Sequence, residues 1–289
     1  MKRNRVIAGI LAVFLLFILA SWLAGTLLTF PVPRTIGSLP PDLTGRAIEF
    51  RSESRSVIHG WFLPGRTGMG TIIIMHGVRA SRLDMVDRAQ FLSHAGYAVL
   101  LFDFQAHGES SGKQITFGYL ESKDAQAAVG FAHSLAPQEK IGVIGVSMGG
   151  AAAMLASPPL SVDAIVFEQV YPTLSDAIDD RISMRLGSWS KILSPLLLWQ
   201  LRPRLGVSYE MLRPLDHVSK ISAPKLFIGG SDDQHTTPTE IRKMVDAATE
   251  PKELWIVPGA KHVDLCRFGK SEYKNRVLDF FSLHLVAGK

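Results

Sequence analysis

The sequence predicts an α/β fold in which a mostly parallel β-sheet is covered by helices on both faces. Six short apolar segments alternate with longer amphipathic stretches, and their apolar residues run continuously, as in parallel strands buried on both faces. Two segments before them lie close together with polar turn residues between them, which predicts an antiparallel edge hairpin. In chain order the eight segments are RAIEF (46–50), VIHGWFL (57–63), TIIIM (71–75), AVLLFD (98–103), IGVIGV (141–146), DAIVFE (163–168), KLFIG (225–229) and ELWIV (253–257).

Composition excludes several classes of protein. Of the 289 residues, 47% are hydrophobic and 20% are charged, so the chain can form a packed core and is not disordered. The net charge is +5, but Lys2, Arg3 and Arg5 supply three of these charges and the rest are scattered, so no nucleic-acid partner is expected. A single cysteine, Cys266, excludes an intrachain disulfide and a multi-cysteine metal site.

The first thirty residues predict a transmembrane helix. No charge occurs from Val6 to Pro33, and the apolar segment 6–28 is long enough to cross a hydrocarbon core of about 30 Å. The basic residues before it place the amino terminus in the cytoplasm and the remaining chain outside. A secretory signal cleaved near Ala20 or Ala24, which would release a secreted protein, and a buried core helix are the alternatives.

The chain then divides into three further parts. Residues 31–45 contain four prolines and two glycines and predict a linker that leaves the membrane. Residues 46–289 form the globular domain, so a version starting near residue 34 is expected to be soluble and active. Within it, residues 171–220 predict a lid-like insertion between the sixth and seventh strands, with Pro195 kinking or interrupting its helix.

A serine at a strand-to-helix junction carries the main chemical signal. Gly145-Val146-Ser147-Met148-Gly149-Gly150 follows the strand IGVIGV and precedes the helical segment AAAMLA. A serine on such a sharp turn needs small neighbours, because flanking backbone approaches it closely. Ser147 is therefore the candidate nucleophile, and a plain glycine-rich loop is the alternative.

An acid and a base are expected after the serine, because a serine hydroxyl is a poor nucleophile on its own. GGSDDQHTTP (229–238) follows the strand KLFIG and PGAKHVD (258–264) follows the strand ELWIV. Both segments lie where sites of open α/β sheets gather. His262 is the candidate base, and the order Ser, Asp, His is the order expected of this architecture.

The loop after the strand TIIIM, His76-Gly77-Val78, is the candidate source of a backbone N–H for an oxyanion. The N–H of Val78 and that of Met148 would together form the oxyanion hole. His76 itself is interpreted as structural. Asp103 and the segment 107–110 are expected to shape the wall beside the site without chemistry of their own.

Taken together, these segments resemble the α/β-hydrolase fold, and most closely the membrane-anchored Bem46-like and serine aminopeptidase-like (S33) bacterial hydrolases. The resemblance covers about residues 46–286 and implies an eight-stranded sheet, a Ser-His-Asp triad and no cofactor or metal. Proteins of this kind place the acid three residues after the glycine that closes the strand, which implies Asp233. Asp232 stays the alternative, and Asp264, two positions from His262, lacks the angle to orient the ring.

The remaining histidines are interpreted as surface or packing residues. They are His59, His94, His133, His217, His235 and His284.

The predicted function is hydrolysis of a carboxylic ester, with apolar acyl groups favoured, through an acyl-enzyme on Ser147. An aspartate would have to replace Ser147 in a haloalkane dehalogenase, which excludes that activity. Aminopeptidase or acyltransferase activity with the same residues, and a non-catalytic binding protein on this fold, are the alternatives. No charged clamp for a phosphate is evident. The apolar lid residues either pack against the domain in the ordinary way or form an apolar wall of the acyl pocket. They are Trp189, Ile192, Leu193, Leu196, Leu197, Leu198, Trp199 and Leu201.

Overall fold

The sheet has eight strands, most of them parallel. A computed structural model describes residues 2–286. The strands of the described residues are β1 (Val32–Pro33), β2 (Arg46–Arg51), β3 (Val57–Leu63), β4 (Thr71–Met75), β5 (Ala98–Phe102), β6 (His107–Gly108), β7 (Ile141–Val146), β8 (Ala164–Glu168), β9 (Lys225–Gly230) and β10 (Lys252–Val257). Strands β1 and β6 form a separate pair, and the other eight form the main sheet. The main sheet has the order β10-β9-β8-β7-β4-β5-β3-β2. Only β2 with β3 and β3 with β5 pair antiparallel in it, which confirms the predicted edge hairpin.

Helices α2, α3, α4, α8 and α9 cover the two faces of this sheet. The α-helices of the described residues are α1 (Lys2–Thr29), α2 (Val86–Ala95), α3 (Tyr119–Leu135), α4 (Met148–Leu155), α5 (Leu174–Leu186), α6 (Ser190–Trp199), α7 (Leu201–Leu205), α8 (Pro238–Ala247) and α9 (Leu265–Leu285). Successive side chains of a strand point to opposite faces. In β4, Ile73 and Met75 accordingly join the core beneath α3 and α4, whereas Ile72 and Ile74 join the core beneath α2 and α9.

The segment 31–45 packs on the domain rather than crossing solvent as a free linker. Its strand β1 pairs in parallel with β6, and Leu43 is buried in the core. The N–H groups of Ile36 and Gly37 donate to Glu109 Oε1 at 3.1 and 3.2 Å. The N–H groups of Val32 and Arg34 donate to the carbonyls of Ala106 and Gly108, each at 2.8 Å, so much of the backbone of this segment is bound to the domain.

Helix α1 is long and apolar, and only its last turns touch the domain. Within Asn4–Thr29, an 18-residue stretch has a mean hydropathy of 2.8 and 6% of that stretch is buried, so by length and composition this helix can cross a membrane. The buried positions Ser21, Gly25 and Thr29 lie four residues apart and share one face. Met1 and the side chains of Lys2 and Arg3, on which the predicted orientation rests, lie outside the described residues.

The insertion between β8 and β9 forms three helices, α5 to α7, over the carboxyl ends of the strands. Helix α6 continues through Pro195, so the expected interruption is not present. Leu198 and Leu201 pack with Leu174 and Leu212 in a small core of their own. The lid therefore has a packed base of its own, beside the main core.

A buried ion cluster joins helices on one face of the sheet to the carboxyl end of β8. Arg88 Nη2 and Nε bind the two carboxylate oxygens of Glu168 at 2.6 and 3.1 Å. Tyr273 donates its hydroxyl to the same carboxylate, and Arg88 Nη1 lies 2.9 Å from Asp264 Oδ1. A buried charge without its partner is costly, so each member of this cluster depends on the others.

We expect Arg88→Met to lower the free energy of unfolding by about 3–5 kcal/mol, because it leaves the Glu168 carboxylate buried without a cation. The matched control is Arg267→Met, since Arg267 pairs with Asp87 at 2.6 Å but is 70% exposed. Such an exposed pair contributes about 1 kcal/mol or less. Denaturant unfolding of the detergent-solubilised protein measures both. Equal effects of the two substitutions would contradict this account.

Candidate active site

Ser147 occupies a strained turn between β7 and α4. Its φ of 49° and ψ of −113° lie outside the regions that L-residues prefer. The glycines around it are required by close backbone approach: a Cβ at Gly149 would lie 2.4 Å from the carbonyl oxygen of Met75, and one at Gly145 would lie 2.6 Å from the Cα of Gly150. Strain held in this way by packing is a recurrent property of functional sites.

Asp233, and not Asp232, contacts His262. The ring Nδ1 of His262 lies 2.8 Å from Asp233 Oδ2, and this aspartate is almost fully buried. Asp232 is exposed and accepts a hydrogen bond from the hydroxyl of Ser231. Because an ionised carboxylate only accepts hydrogen bonds, the proton of a neutral His262 ring lies on Nδ1. The Nε2 atom is then free to accept a proton.

Both carboxylate oxygens of Asp233 accept further hydrogen bonds. The N–H groups of His235 and Thr236 donate to Oδ1 at 2.8 and 3.0 Å, and Gln169 Nε2 donates to Oδ2 at 2.8 Å. Burial raises the pKa of Asp233, but the hydrogen bond and charge of His262 together with these N–H groups outweigh it and hold the pKa below its usual value. The carboxylate is therefore ionised at neutral pH.

Gln169 connects the serine turn to the hydrogen-bonded pair of Asp233 and His262. No motif in the sequence had singled it out as a site residue. The N–H of Ser147 donates to the carbonyl of Glu168 at 2.8 Å. The next residue, Gln169, reaches both Asp233 and, at 2.9 Å, the carbonyl of Lys261, which immediately precedes His262. Its position just after a buried strand was the available signal, since the other site residues also follow strands.

Two neutral histidines fix the loop 77–79 after β4. The ring of His76 bonds the carbonyl of Gly77 through Nδ1 at 2.7 Å and accepts the N–H of Phe104 through Nε2 at 3.0 Å. His107 Nε2 accepts the N–H of Arg79 at 3.0 Å, and Arg79 has a positive φ of 60°. Burial lowers the pKa of His107, and burial and the nearby His107 lower that of His76 well below its ordinary value.

The fold as a whole is similar to that of a known esterase. The chain superposes on the esterase Pf2001 of Pyrococcus furiosus with a TM-score of 0.74 and 25% sequence identity, covering 89% of this chain and 98% of the esterase. This chain has the α/β-hydrolase fold. The crystal structure of PA2218 from Pseudomonas aeruginosa shares the fold with a TM-score of 0.63 at 24% identity, covering 87% and 97% of the two chains.

Similarity in sequence agrees with this assignment. Residues 68–168 of the hydrolase match the family described as serine aminopeptidase, S33. The uncharacterized protein YqkD of Bacillus subtilis is 27% identical over 229 residues, which cover 77% of this chain and 74% of YqkD. PA2218 of Pseudomonas aeruginosa is 29% identical over 255 residues, 68% of each chain.

The hydrolase has a cavity of about 460 Å³ in front of the serine turn. Ser147, Met148 and Val78 line it together, with the lid residues Leu197 and Leu201. The sequence predicted more of the lid in this wall. The structure corrects that assignment: Ile192 and Trp199 lie on the opposite, exposed face of α6, and Trp189 is exposed as well.

The cavity also carries positive charge, contrary to the expectation that no charged clamp exists. Four arginines line it: Arg79, Arg181, Arg185 and Arg204. Within residues 4–286 no carboxylate lies within 4 Å of any of the four guanidinium groups. Burial lowers the pKa of Arg181, as expected for a cation held away from water. Short sequence patterns miss this set because its members come from three separate segments.

The other residues considered in the sequence analysis, among them His235, Asp264 and Asp103, make structural contacts. His235 was interpreted as a surface or packing residue, and its ring stacks on that of His262 with centroids 5.0 Å apart. Asp264 caps α9 by accepting the N–H groups of Cys266 and Arg267. Asp103 binds Arg82, whose guanidinium also binds Glu109. No group of three metal-ligating side chains occurs in the part of the chain that the structure describes.

We expect the stability of the hydrolase to fall as pH decreases below about 6.5, the unfolded pKa of histidine. The folded pKa of His107 is lowered, so between the two values the unfolded chain binds more protons and acid favours unfolding. His107→Gln keeps an acceptor for the Arg79 N–H but does not titrate, so its melting temperature should fall less steeply from pH 6.5 to 5. The exposed His94→Gln is the control. Identical slopes for wild type and His107→Gln would contradict this assignment.

Proposed function

We propose that the protein hydrolyses carboxylic esters with an apolar acyl group through an acyl-enzyme on Ser147. The observation that carries the proposal is the 2.8 Å contact between His262 and the buried Asp233, at the end of the sheet that also holds the strained serine. The likeness to an esterase of 25% identity supports the same reaction class. Val78 and Met148, which line the cavity with Ser147, would bind the oxyanion.

The reaction proceeds in two steps. Ser147 Oγ attacks the ester carbonyl while His262 Nε2 takes its proton, and the oxyanion of the tetrahedral intermediate is held by two backbone N–H groups. The C–O bond to the alcohol then breaks, and His262 returns the proton to the leaving alcohol. Water, deprotonated by His262, then attacks the acyl carbon; the bond to Ser147 Oγ breaks, His262 returns the proton to Oγ, and the carboxylic acid leaves. Asp233 stabilises the imidazolium in both steps.

The charges around the cavity favour an ester over an aminoacyl amide. An aminopeptidase has to bind the ammonium group of its substrate, which carboxylates do best. The described lining of this cavity contains arginines and no carboxylate. An ammonium group would therefore meet like charge, whereas an acyl chain would meet Leu197, Leu201 and Ile178. An acyltransferase would differ only in the acceptor that replaces water.

We also propose that α1 is an uncleaved membrane anchor with its amino terminus in the cytoplasm. Ser21, Gly25 and Thr29 form a face that packs on the domain. Cleavage after Ala24 would remove Ser21 from this face, and cleavage after Ala20 would make Ser21 the amino terminus. Three basic residues before the apolar span support this orientation. The catalytic domain then lies outside the cytoplasm.

The nucleophile is tested by labelling with a fluorophosphonate probe. Ser147 should be the labelled residue, because the histidine makes its hydroxyl more reactive than that of other serines. Ser147→Ala should abolish both labelling and ester turnover. A panel of esters, thioesters and aminoacyl amides then ranks the reaction classes, with mass analysis of products in added alcohol to detect acyl transfer. Full labelling of Ser147→Ala, or faster amide than ester cleavage, would contradict the proposal.

The two neighbouring aspartates provide a matched pair for the orienting acid. Asp233→Asn should lower kcat by about 10³–10⁴, because the amide donates to Nδ1 and favours the wrong tautomer of His262. Asp232→Asn should change kcat by less than about threefold, since Asp232 is exposed and contacts Ser231 instead. Circular dichroism controls for folding. The reverse ranking would transfer the acid role to Asp232.

Topology is tested by protease accessibility in an expressing bacterial host. The domain should be digested when protease is added to spheroplasts and protected in inverted membrane vesicles. The intact protein should stay in the membrane fraction at its full mass. A soluble form shortened by about 20–24 residues would favour the cleaved signal, and protection in spheroplasts would refute the orientation.

A further inference from the structure

The membrane helix forms part of the wall of the cavity in front of Ser147. Gly25, Leu28 and Thr29, all in the last two turns of α1, line the same space as Ser147 and Met148. Leu28 is at the same time 43% exposed. One side chain of α1 thus borders both the cavity and the outside of the molecule.

Polar bonds fix these turns of α1 against the lid. Gln200 Nε2 donates to Ser21 Oγ at 2.8 Å, and Arg204 donates to Thr26 Oγ1 at 2.7 Å and to the carbonyl of Trp22. The guanidinium of Arg204 also lies over the ring of Trp22, 3.8 Å from its centroid. These side-chain hydrogen bonds hold the last turns of α1 in a defined position against the lid.

The globular part holds the end of α1 as well. Arg79 donates to the carbonyl of Leu27 at 3.1 Å. The N–H of Ile115 donates to the carbonyl of Thr29 at 2.9 Å. Carbonyls at a helix end have no partner within the helix. Here the residues around the serine site supply their donors.

Length arithmetic puts this wall at the membrane boundary. About 20 residues cross the hydrocarbon core; counted from Val6, where the uncharged segment begins, they end at Gly25. The contact face from Ser21 to Thr29 extends over about 12 Å of helix. The cavity wall therefore lies where hydrocarbon gives way to headgroups.

The outer face of the lid is apolar and lies beside α1. Ile192, Pro195 and Trp199 form one exposed stripe of α6 at positions i, i+3 and i+7, preceded by the exposed Trp189. Helix α6 packs directly against α1. Tryptophan is enriched at membrane interfaces, and this stripe continues the apolar surface of the anchor, so the bilayer is the surface that covers it.

We infer that the substrate is an acyl ester resident in the bilayer leaflet next to the catalytic domain, and that its acyl chain enters beside Leu28 with α1 as one wall of the pocket. This inference rests on the proposed ester hydrolysis. It adds the source of the substrate and a part in substrate selection for the anchor.

The test compares two glycines of α1 in the full-length protein. A Cβ at Gly25 would lie 2.5 Å from Gln200 Oε1 and 3.0 Å from Arg204 Nε, whereas nothing lies within 4 Å of one at Gly9. Substrates are a fluorogenic long-chain acyl ester in ether-lipid vesicles and a water-soluble acetate ester. Gly25→Leu should lower the ratio of their kcat/KM values, long over short, at least tenfold. Gly9→Leu should leave the ratio within twofold of wild type.

A second pair covers the case in which Gly25→Leu does not fold. Leu28→Ser should lower the same ratio at least fivefold, and Leu27→Ser, at an exposed position outside the cavity lining, should not. Unchanged ratios in both test variants, or equal loss in test and control variants, overturn the inference. If wild type hydrolyses neither ester, the proposed function itself has failed; if it hydrolyses both and only the ratios do not respond, the inference alone has failed.

The arginines carry a second, independent inference. Arg181 and Arg185 lie one turn apart on α5 and line the cavity. Among the described residues, Arg181 donates to two carbonyls, those of Ala177 at 2.7 Å and His235 at 3.3 Å. Asp233, Asp180 and Glu240 act on this guanidinium electrostatically but make no direct ion pair with it, so a partly buried cation here gains from an anion that contacts it directly. We infer that the ester bound here carries an anionic group, which these two arginines recognise.

A matched substrate pair tests this inference: 1-oleoylglycerol and its 3-phosphate, in ether-lipid vesicles of constant surface charge. Wild type should prefer the phosphate ester at least tenfold in kcat/KM. Arg181→Gln and Arg185→Gln should each lower that preference at least fivefold. Arg202→Gln, on the exposed side of α7, should keep it. A preference for the neutral ester, or equal preferences in all variants, overturns the inference.

Discussion

The carboxyl end of β8 is the point on which the whole site depends. The carbonyl of Glu168 holds the N–H of Ser147, and its carboxylate is neutralised by Arg88 in the core. The following Gln169 holds Asp233 and the backbone before His262. Two adjacent residues thus connect the serine turn, the acid and the histidine loop, which come from three separate strands. Their positions are set relative to one another by hydrogen bonds rather than by apolar packing alone.

Buried polar groups in this molecule divide into two kinds with different costs. The Arg88 cluster contains ionised groups, joined by the neutral hydroxyl of Tyr273, and is stable because each charge has its partner close by. His76 and His107 are instead neutral, and each uses a ring nitrogen to accept a backbone N–H. A neutral ring avoids the cost of a buried charge, and it fixes the loop beside Ser147 only while it is unprotonated.

Local patterns in the sequence predicted the strands and the serine turn, because these features depend on residues close together in the chain. The choice between Asp232 and Asp233 needed the resemblance, since both follow the same strand. Gln169 and the arginines were missed because their meaning comes from contacts between distant segments. The wall of the cavity was assigned partly to the wrong face of α6: Ile192 and Trp199 point outward while Leu197 points in. When a helix has apolar residues all around, its periodicity does not identify the inner face.

The packing of α1 on the domain also has a mechanical consequence. A spanning helix adapts to thicker or thinner bilayers chiefly by changing its tilt. Gln200 and Arg204 bind the end of this helix at Ser21 and Thr26, so in the proposed anchored protein a change in tilt would be transmitted to the lid. The shape of the pocket, and with it the proposed selectivity, would then depend on the thickness of the surrounding lipid as well as on the protein.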